Sequence, residues 1–91
     1  MGQFDRAIAD YDEAIKRDPV MADAYKSRGD AYYDKRQLDR AIADYTRAIE
    51  VDPKFAQAYQ NRSIARKMLG DRAGSEADLA KARQIDPRRY Q

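Results

Sequence analysis

Asp39-Arg40-Ala41-Ile42-Ala43-Asp44-Tyr45 repeats, letter for letter, a stretch lying 34 residues upstream, Asp5-Arg6-Ala7-Ile8-Ala9-Asp10-Tyr11. Extending both copies without gaps to residues 2–19 and 36–53 gives agreement at 12 of 18 positions. The same spacing of 34 separates Asp18-Pro19, Asp52-Pro53 and Asp86-Pro87, and returns Ala24-Tyr25 as Ala58-Tyr59. A third copy, Gly70–Pro87, has drifted, retaining Ala77, Asp78, Ala82, Asp86 and Pro87. Such a period is long enough for two helices and a turn.

Each unit reads as that helix pair. Ala22–Lys35 carries Ala24, Tyr25, Ala31 and Tyr32; Leu38–Val51 carries Leu38, Ala41, Ile42, Tyr45, Ala48 and Ile49, spaced by threes and fours. Ala41 and Ala48 flank the bulky Tyr45 on one stripe, so a neighbouring helix can approach closely and receive a large knob between them. Asp-Pro closes the unit, because proline donates no backbone N–H and disfavours helix at the residue before it.

Composition excludes much else. The 91 residues are 43% hydrophobic and 37% charged, with a net charge of only +2. Balanced charge beside ample Ala, Ile and Tyr describes a charged-surface helical protein, not a disordered polyelectrolyte. With no cysteine and no histidine there is no disulfide framework, zinc finger, thiol nucleophile or imidazole base. No dense acidic loop offers a hard cation a site, so no metal or cofactor is expected. Arg6 stands where a myristoylation signal needs Ser or Thr, and no signal peptide or bilayer-spanning run is present. The compartment is therefore left open, with cytoplasm the default.

These residues resemble the tetratricopeptide repeat, an antiparallel helix pair of 34 residues. Tyr25, Gly29, Tyr32, Ala41, Tyr45, Ala48 and Pro53 sit at the family spacing in the unit 22–55. The unit 56–89 offers Tyr59, Ala77, Leu79, Ala82 and Pro87, but has Ser63 for the helix-contact glycine and Arg66 for an aromatic. Arg66 predicts a less buried face there. Residues 2–19 match only the second half of a unit, with Gly2 at the interhelical turn. The resemblance thus implies an all-α solenoid of about 2.5 repeats. Its five helices run in the order B-A-B-A-B, at Gln3–Arg17, Ala22–Lys35, Leu38–Val51, Phe55–Leu69 and Arg72–Ile85.

Two further expectations concern the ends. Phe4, Ala7, Tyr11 and Ala14 form a stripe that the first helix of a complete unit would cover; either the chain is a fragment of a longer array, or another copy covers the stripe in a symmetric dimer or a swapped assembly, which makes it the candidate self-association surface. At the other end, positions held by Phe4 and Leu38, Ile8 and Ile42, and Ile15 and Ile49 become Arg72, Glu76 and Arg83, as a water-facing last repeat requires. Arg88-Arg89-Tyr90-Gln91 reads as a short tail or the stub of a removed segment.

In this family, recognition lies on the concave face lined by the first helix of each pair. Carried onto this chain, it implies a peptide-binding set of Lys26, Asp30, Tyr33, Gln57, Gln60, Asn61, Ile64 and Lys67, flanked by Asp23, Ser27, Asp34 and Met68. Gln60 and Asn61 can pair with peptide amides, Tyr33 and Ile64 give apolar contact, and Lys26 and Lys67 suit a carboxylate. Some members clamp the C-terminal Glu-Glu-Val-Asp tail of a chaperone. Lys26 and Asn61 match two clamp positions, but Asp30 replaces a second asparagine and would repel a carboxylate. The helix that brings the remaining clamp cations has no counterpart.

Charge is uneven: residues 1–53 carry 9 basic and 12 acidic groups, residues 54–91 carry 9 and 4. The basic cluster includes Arg62, Arg66, Lys67, Arg72, Lys81, Arg83, Arg88 and Arg89. An acidic partner or nucleic acid could use it, but there is no recognition motif or row of exposed aromatics, so nucleic acid is disfavoured. Solvated charge, with neighbourhoods such as Asp78–Arg83, accounts for the cluster. No nucleophile–base pair or phosphate loop is present, and the expected role is non-catalytic protein–protein recognition, with self-assembly through the first helix as the alternative.

Overall fold

The computed structural model describes residues 2–90, and they form five helices: α1 Gln3–Arg17, α2 Ala22–Asp34, α3 Leu38–Val51, α4 Ala56–Met68 and α5 Arg72–Ile85. The order and placement are those the repeat predicts. Only α2 and α4 are shorter, because Lys35, Phe55 and Leu69 serve as caps. Each helix packs on the next, and α2 also touches α4, giving a body of 34 × 26 × 18 Å.

Local chemistry accounts for the turns. Asp18, Asp52 and Asp86 each end a helix with their N–H on the carbonyl of Ala14, Ala48 and Ala82, at 2.9 Å in every copy. The carboxylates of Asp18 and Asp52 then accept from Val20 N and Lys54 N, closing the proline turn. The tighter turns within a pair share another device. Gly70 has φ +86°, and its N–H bonds Lys67 O while Asp71 N–H bonds Arg66 O, a Schellman closure. Arg36 adopts φ 65° in the same closure, with bonds to Tyr33 O and from Gln37 N to Tyr32 O.

The core is the predicted stripe. Ala41, Tyr45 and Ala48 are essentially inaccessible, and Tyr32, Tyr33, Leu38 and Ile42 close over Ala41, Tyr45 and Ala65. Burying an aromatic knob of this kind contributes about 2 kcal/mol relative to leaving it in water. Gly29 permits the approach: a Cβ built there lies 2.8 Å from Tyr45 Cε1 and 3.2 Å from Ala41 O.

The next unit solves the same contact differently. Ser63 replaces Gly29, Leu79 replaces Tyr45, and Ser75 replaces Ala41. A smaller knob leaves room for the serine, whose hydroxyl donates to Ser75 O at 2.9 Å and pairs with Ser75 Oγ at 2.8 Å. Ser75, buried, therefore holds the small-residue position expected of Ala77; Ala77 is exposed, on the far side of α5 from the contact.

The ends also differ from one another. No residue of α1 is buried, and Phe4, Ala7, Tyr11 and Ala14 are all exposed or partly so. Arg72, Glu76 and Arg83 face water as expected. Tyr90, however, is not part of a loose tail: it is 6% exposed, and Arg83 Nε donates to its carbonyl at 2.9 Å. Among the described residues no helix is long and apolar enough to cross a membrane.

Candidate functional site

The face made by α2 and α4 collects most of the predicted binding residues, but it holds two clefts and not one groove. The first, of about 320 Å³, is lined by Asp30, Tyr33, Asp34, Tyr45, Asn61 and Ile64. The second, of about 390 Å³, lies between α4 and α5 and takes Gln60, Ile64 and Lys67, with Ser63, Arg72, Ser75, Glu76 and Leu79. Ile64, 44% exposed, forms the ridge between them. Lys26 and Gln57 line neither cleft.

Helical spacing places the first cleft's groups. Asp30 and Asp34 follow one another at i and i+4 on α2, with Lys26 one turn before them and outside the lining, while Asn61 and Ile64 answer from α4. Asp30 is the hub. Its Oδ1 accepts from Tyr45 OH at 2.6 Å and from Asn61 Nδ2 at 2.9 Å, and its Oδ2 pairs with Lys26 Nζ at 2.9 Å. Tyr33 OH reaches Met68 Sδ at 3.0 Å, joining α2 to α4 across the face. Burial, and then its bond to the Asp30 carboxylate, push the Tyr45 phenol well above its ordinary value of 10.0; the charge of Asp34 adds to the effect. Tyr45 thus lines the floor of this cleft as well as filling the core, a double role that its place in the apolar stripe conceals.

Behind this face runs a polar network that charge counting missed. Arg28 grips Asp44 with two bonds, Nε to Oδ2 at 2.8 Å and NH2 to Oδ1 at 2.7 Å, and reaches Asp12 with NH1 at 2.8 Å. The Asp44 carboxylate foremost, and Asp12 with it, holds the guanidinium charged against the cost of burial. One unit later Arg62 grips Asp78 identically, at 2.9 and 2.7 Å, and reaches Thr46 Oγ1 at 3.1 Å. Arg66 adds a third bond to Asp78 at 2.9 Å.

This revises the basic cluster. Arg62 and Arg66 are tied to a carboxylate that is 3% exposed, and the partners of Asp78 are these two and not Arg83. Arg66 occupies its face as an ion-pair partner, where an aromatic stands in the preceding unit. The signal was available in the sequence, since Arg28 and Arg62 share the 34-residue spacing of Asp44 and Asp78. Among the described residues, no group of three or more His, Cys, Asp or Glu is placed to hold a metal ion.

Comparison with known proteins adds the following. A family model described as tetratricopeptide repeat matches residues 1–58 and again 27–89. No curated protein sequence matches the chain. Among solved structures, the TPR2B domain of yeast Sti1, in its complex with pHsp70, is 34% identical with a TM-score of 0.90, over 93% of this chain and 68% of its own. The OM64 TPR domain of Arabidopsis is 31% identical with a TM-score of 0.92, over 94% and 71%. MamA is 30% identical with a TM-score of 0.91, over 96% of this chain and 51% of its own length.

Proposed function

Because the chain belongs to the tetratricopeptide repeat family, a protein-interaction fold in general, we propose that it recognises a segment of another protein on the α2–α4 face and catalyses nothing. The observation that carries this reading is the cleft between Tyr33 and Ile64, where hydrogen-bonding groups and apolar walls converge from two successive repeats. The similarity to a Sti1 domain described in complex with pHsp70 supports it. Recognition requires only that two helix pairs hold side chains at a fixed pitch, so that successive contacts register along an extended segment. A surface this short gives modest affinity. The test compares a partner captured by the immobilised chain with capture by Ile64→Glu and by Gln84→Glu, an exposed control on α5. Loss with the first alone is expected; retention with Ile64→Glu rejects the site.

One observation favours a second reading, self-association through α1. Ala7, Tyr11 and Ala14 are partly exposed, whereas Ala41, Tyr45 and Ala48, their counterparts one repeat later, are at most 1% exposed. Asp10 likewise occupies the position of Asp44 and Asp78, yet is exposed and lines an open concavity with Gly2, Gln3, Arg6 and Ala7. A helix of a second copy laid on this stripe buries it. Sedimentation over a concentration series tests this, with the chain associating and Tyr11→Glu remaining monomeric. A chain that is monomeric throughout removes the reading.

A further inference from the structure

The family resemblance implies that Lys26 and Asn61 are donors for a carboxylate, but in the structure both are engaged by Asp30. Lys26 Nζ lies 2.9 Å from Asp30 Oδ2, and Asn61 Nδ2 donates to Asp30 Oδ1 at 2.9 Å, beside the Tyr45 hydroxyl at 2.6 Å. Asp30 thereby occupies, from within, the place of a ligand carboxylate. An acidic peptide end entering here meets a negative charge already holding the donors, and to take them it must displace Asp30 into a partly buried environment.

What remains open in this cleft has the opposite character. Asp34, one turn beyond Asp30, is exposed and lines the same cavity, and no Lys or Arg is among the lining residues. The walls are the Tyr33 ring and Ile64. An aliphatic stem packs between such walls while a cationic head reaches a carboxylate at the rim. Lys67, the other cation expected to hold a carboxylate, lines the second cleft instead.

We propose that the cleft between α2 and α4 selects a lysine or arginine side chain on the bound segment, so that this repeat array recognises basic and not acidic peptide sequences. The proposal rests on the reading of this face as a peptide-binding surface. Asp34 receives the cationic head, Tyr33 and Ile64 flank the stem, and Asp30 keeps the inner donors from carboxylates.

The probe is a set of four heptapeptide libraries, acetylated and amidated at their ends and random except for the central residue. That residue is lysine, arginine, norleucine or glutamate. Each is titrated into the isotope-labelled chain while amide signals of Tyr33, Asn61 and Ile64 are followed by NMR. The lysine and arginine libraries are expected to move these signals at roughly fivefold lower concentration than norleucine, with glutamate weakest. Asp34→Asn, at an exposed position, is expected to leave the thermal melt unchanged and to bring lysine and norleucine within about twofold. Asp30→Asn keeps an acceptor for Tyr45 but frees Lys26, and is expected to raise the glutamate library's effect. Equal response to norleucine, or a preference for glutamate in the parent chain, overturns cation selection while leaving peptide binding intact. Failure of all four libraries to move these signals overturns both.

Discussion

At the residue scale, the contact between successive helices is decided by three positions that vary together: Gly29, Ala41 and Tyr45 in one unit, Ser63, Ser75 and Leu79 in the next. A Cβ at Gly29 would come within 2.8 Å of the Tyr45 ring, so Gly29→Ala forces the helices apart despite its better helix propensity. We expect a loss of about 2 kcal/mol in urea unfolding, recovered in good part when Tyr45→Leu accompanies it, as the Ser63–Leu79 pair implies. Tyr45 also links stability to pH. Its folded pKa lies above its unfolded one, so the native state holds the phenolic proton more tightly. That contribution is complete below a pH of about 10 and declines as the pH rises beyond it. Tyr45→Phe is therefore expected to cost about 1 kcal/mol at neutral pH, through the lost bond to Asp30. It should also flatten the alkaline decline in stability seen by circular dichroism; an equally steep decline would show that another group governs it.

At the element scale, the same repeat position appears three times in two environments. Asp44 and Asp78 are buried on α3 and α5 and held bidentately by arginines 16 residues earlier, on α2 and α4. Asp10 is exposed on α1. Removing one partner of a buried pair strands the other charge, whereas an exposed carboxylate contributes little. Asp44→Ala should therefore cost about 3 kcal/mol and Asp10→Ala less than about 0.5 kcal/mol. Similar values for the two in urea unfolding would show that the pairing does not stabilise the helix interface. Helix limits themselves were readable, because Asp-Pro and the left-handed turns act within a few residues. What the pattern of apolar residues did not disclose was the ion-pair spine, since its members look like ordinary surface charges. Arg6 and Arg40 share the 34-residue spacing too; what separates Arg28 and Arg62 from the remaining arginines is an aspartate 16 residues later in both copies.

At the scale of the whole molecule, each helix meets mainly its neighbours, so stability should be graded along the array. The helix α1 has no buried residue and α3 has four, Ala41, Asp44, Tyr45 and Ala48. Hydrogen exchange is expected to find α1 opening at the lowest free energy and the α3 amides protected to the level of global unfolding; uniform protection would contradict a graded array. The sequence alone determined the 34-residue unit, the helix pair within it and the apolar stripe. These follow from periodicity and from turn chemistry acting over a few residues. By resemblance it also implied the all-α solenoid, the order of the five helices and a candidate binding face from Lys26 to Lys67. Only the tertiary structure decided what the polar residues on and behind that face are doing: Lys26 and Asn61 held by Asp30, Arg62 and Arg66 by Asp78, Lys67 in a separate cleft and Tyr90 packed into the fold. The reason is physical. An apolar side chain declares its place by its period, because any apolar neighbour will serve it. A charged one is placed by a particular partner, and that partner comes within reach only when helices far apart in sequence have packed together.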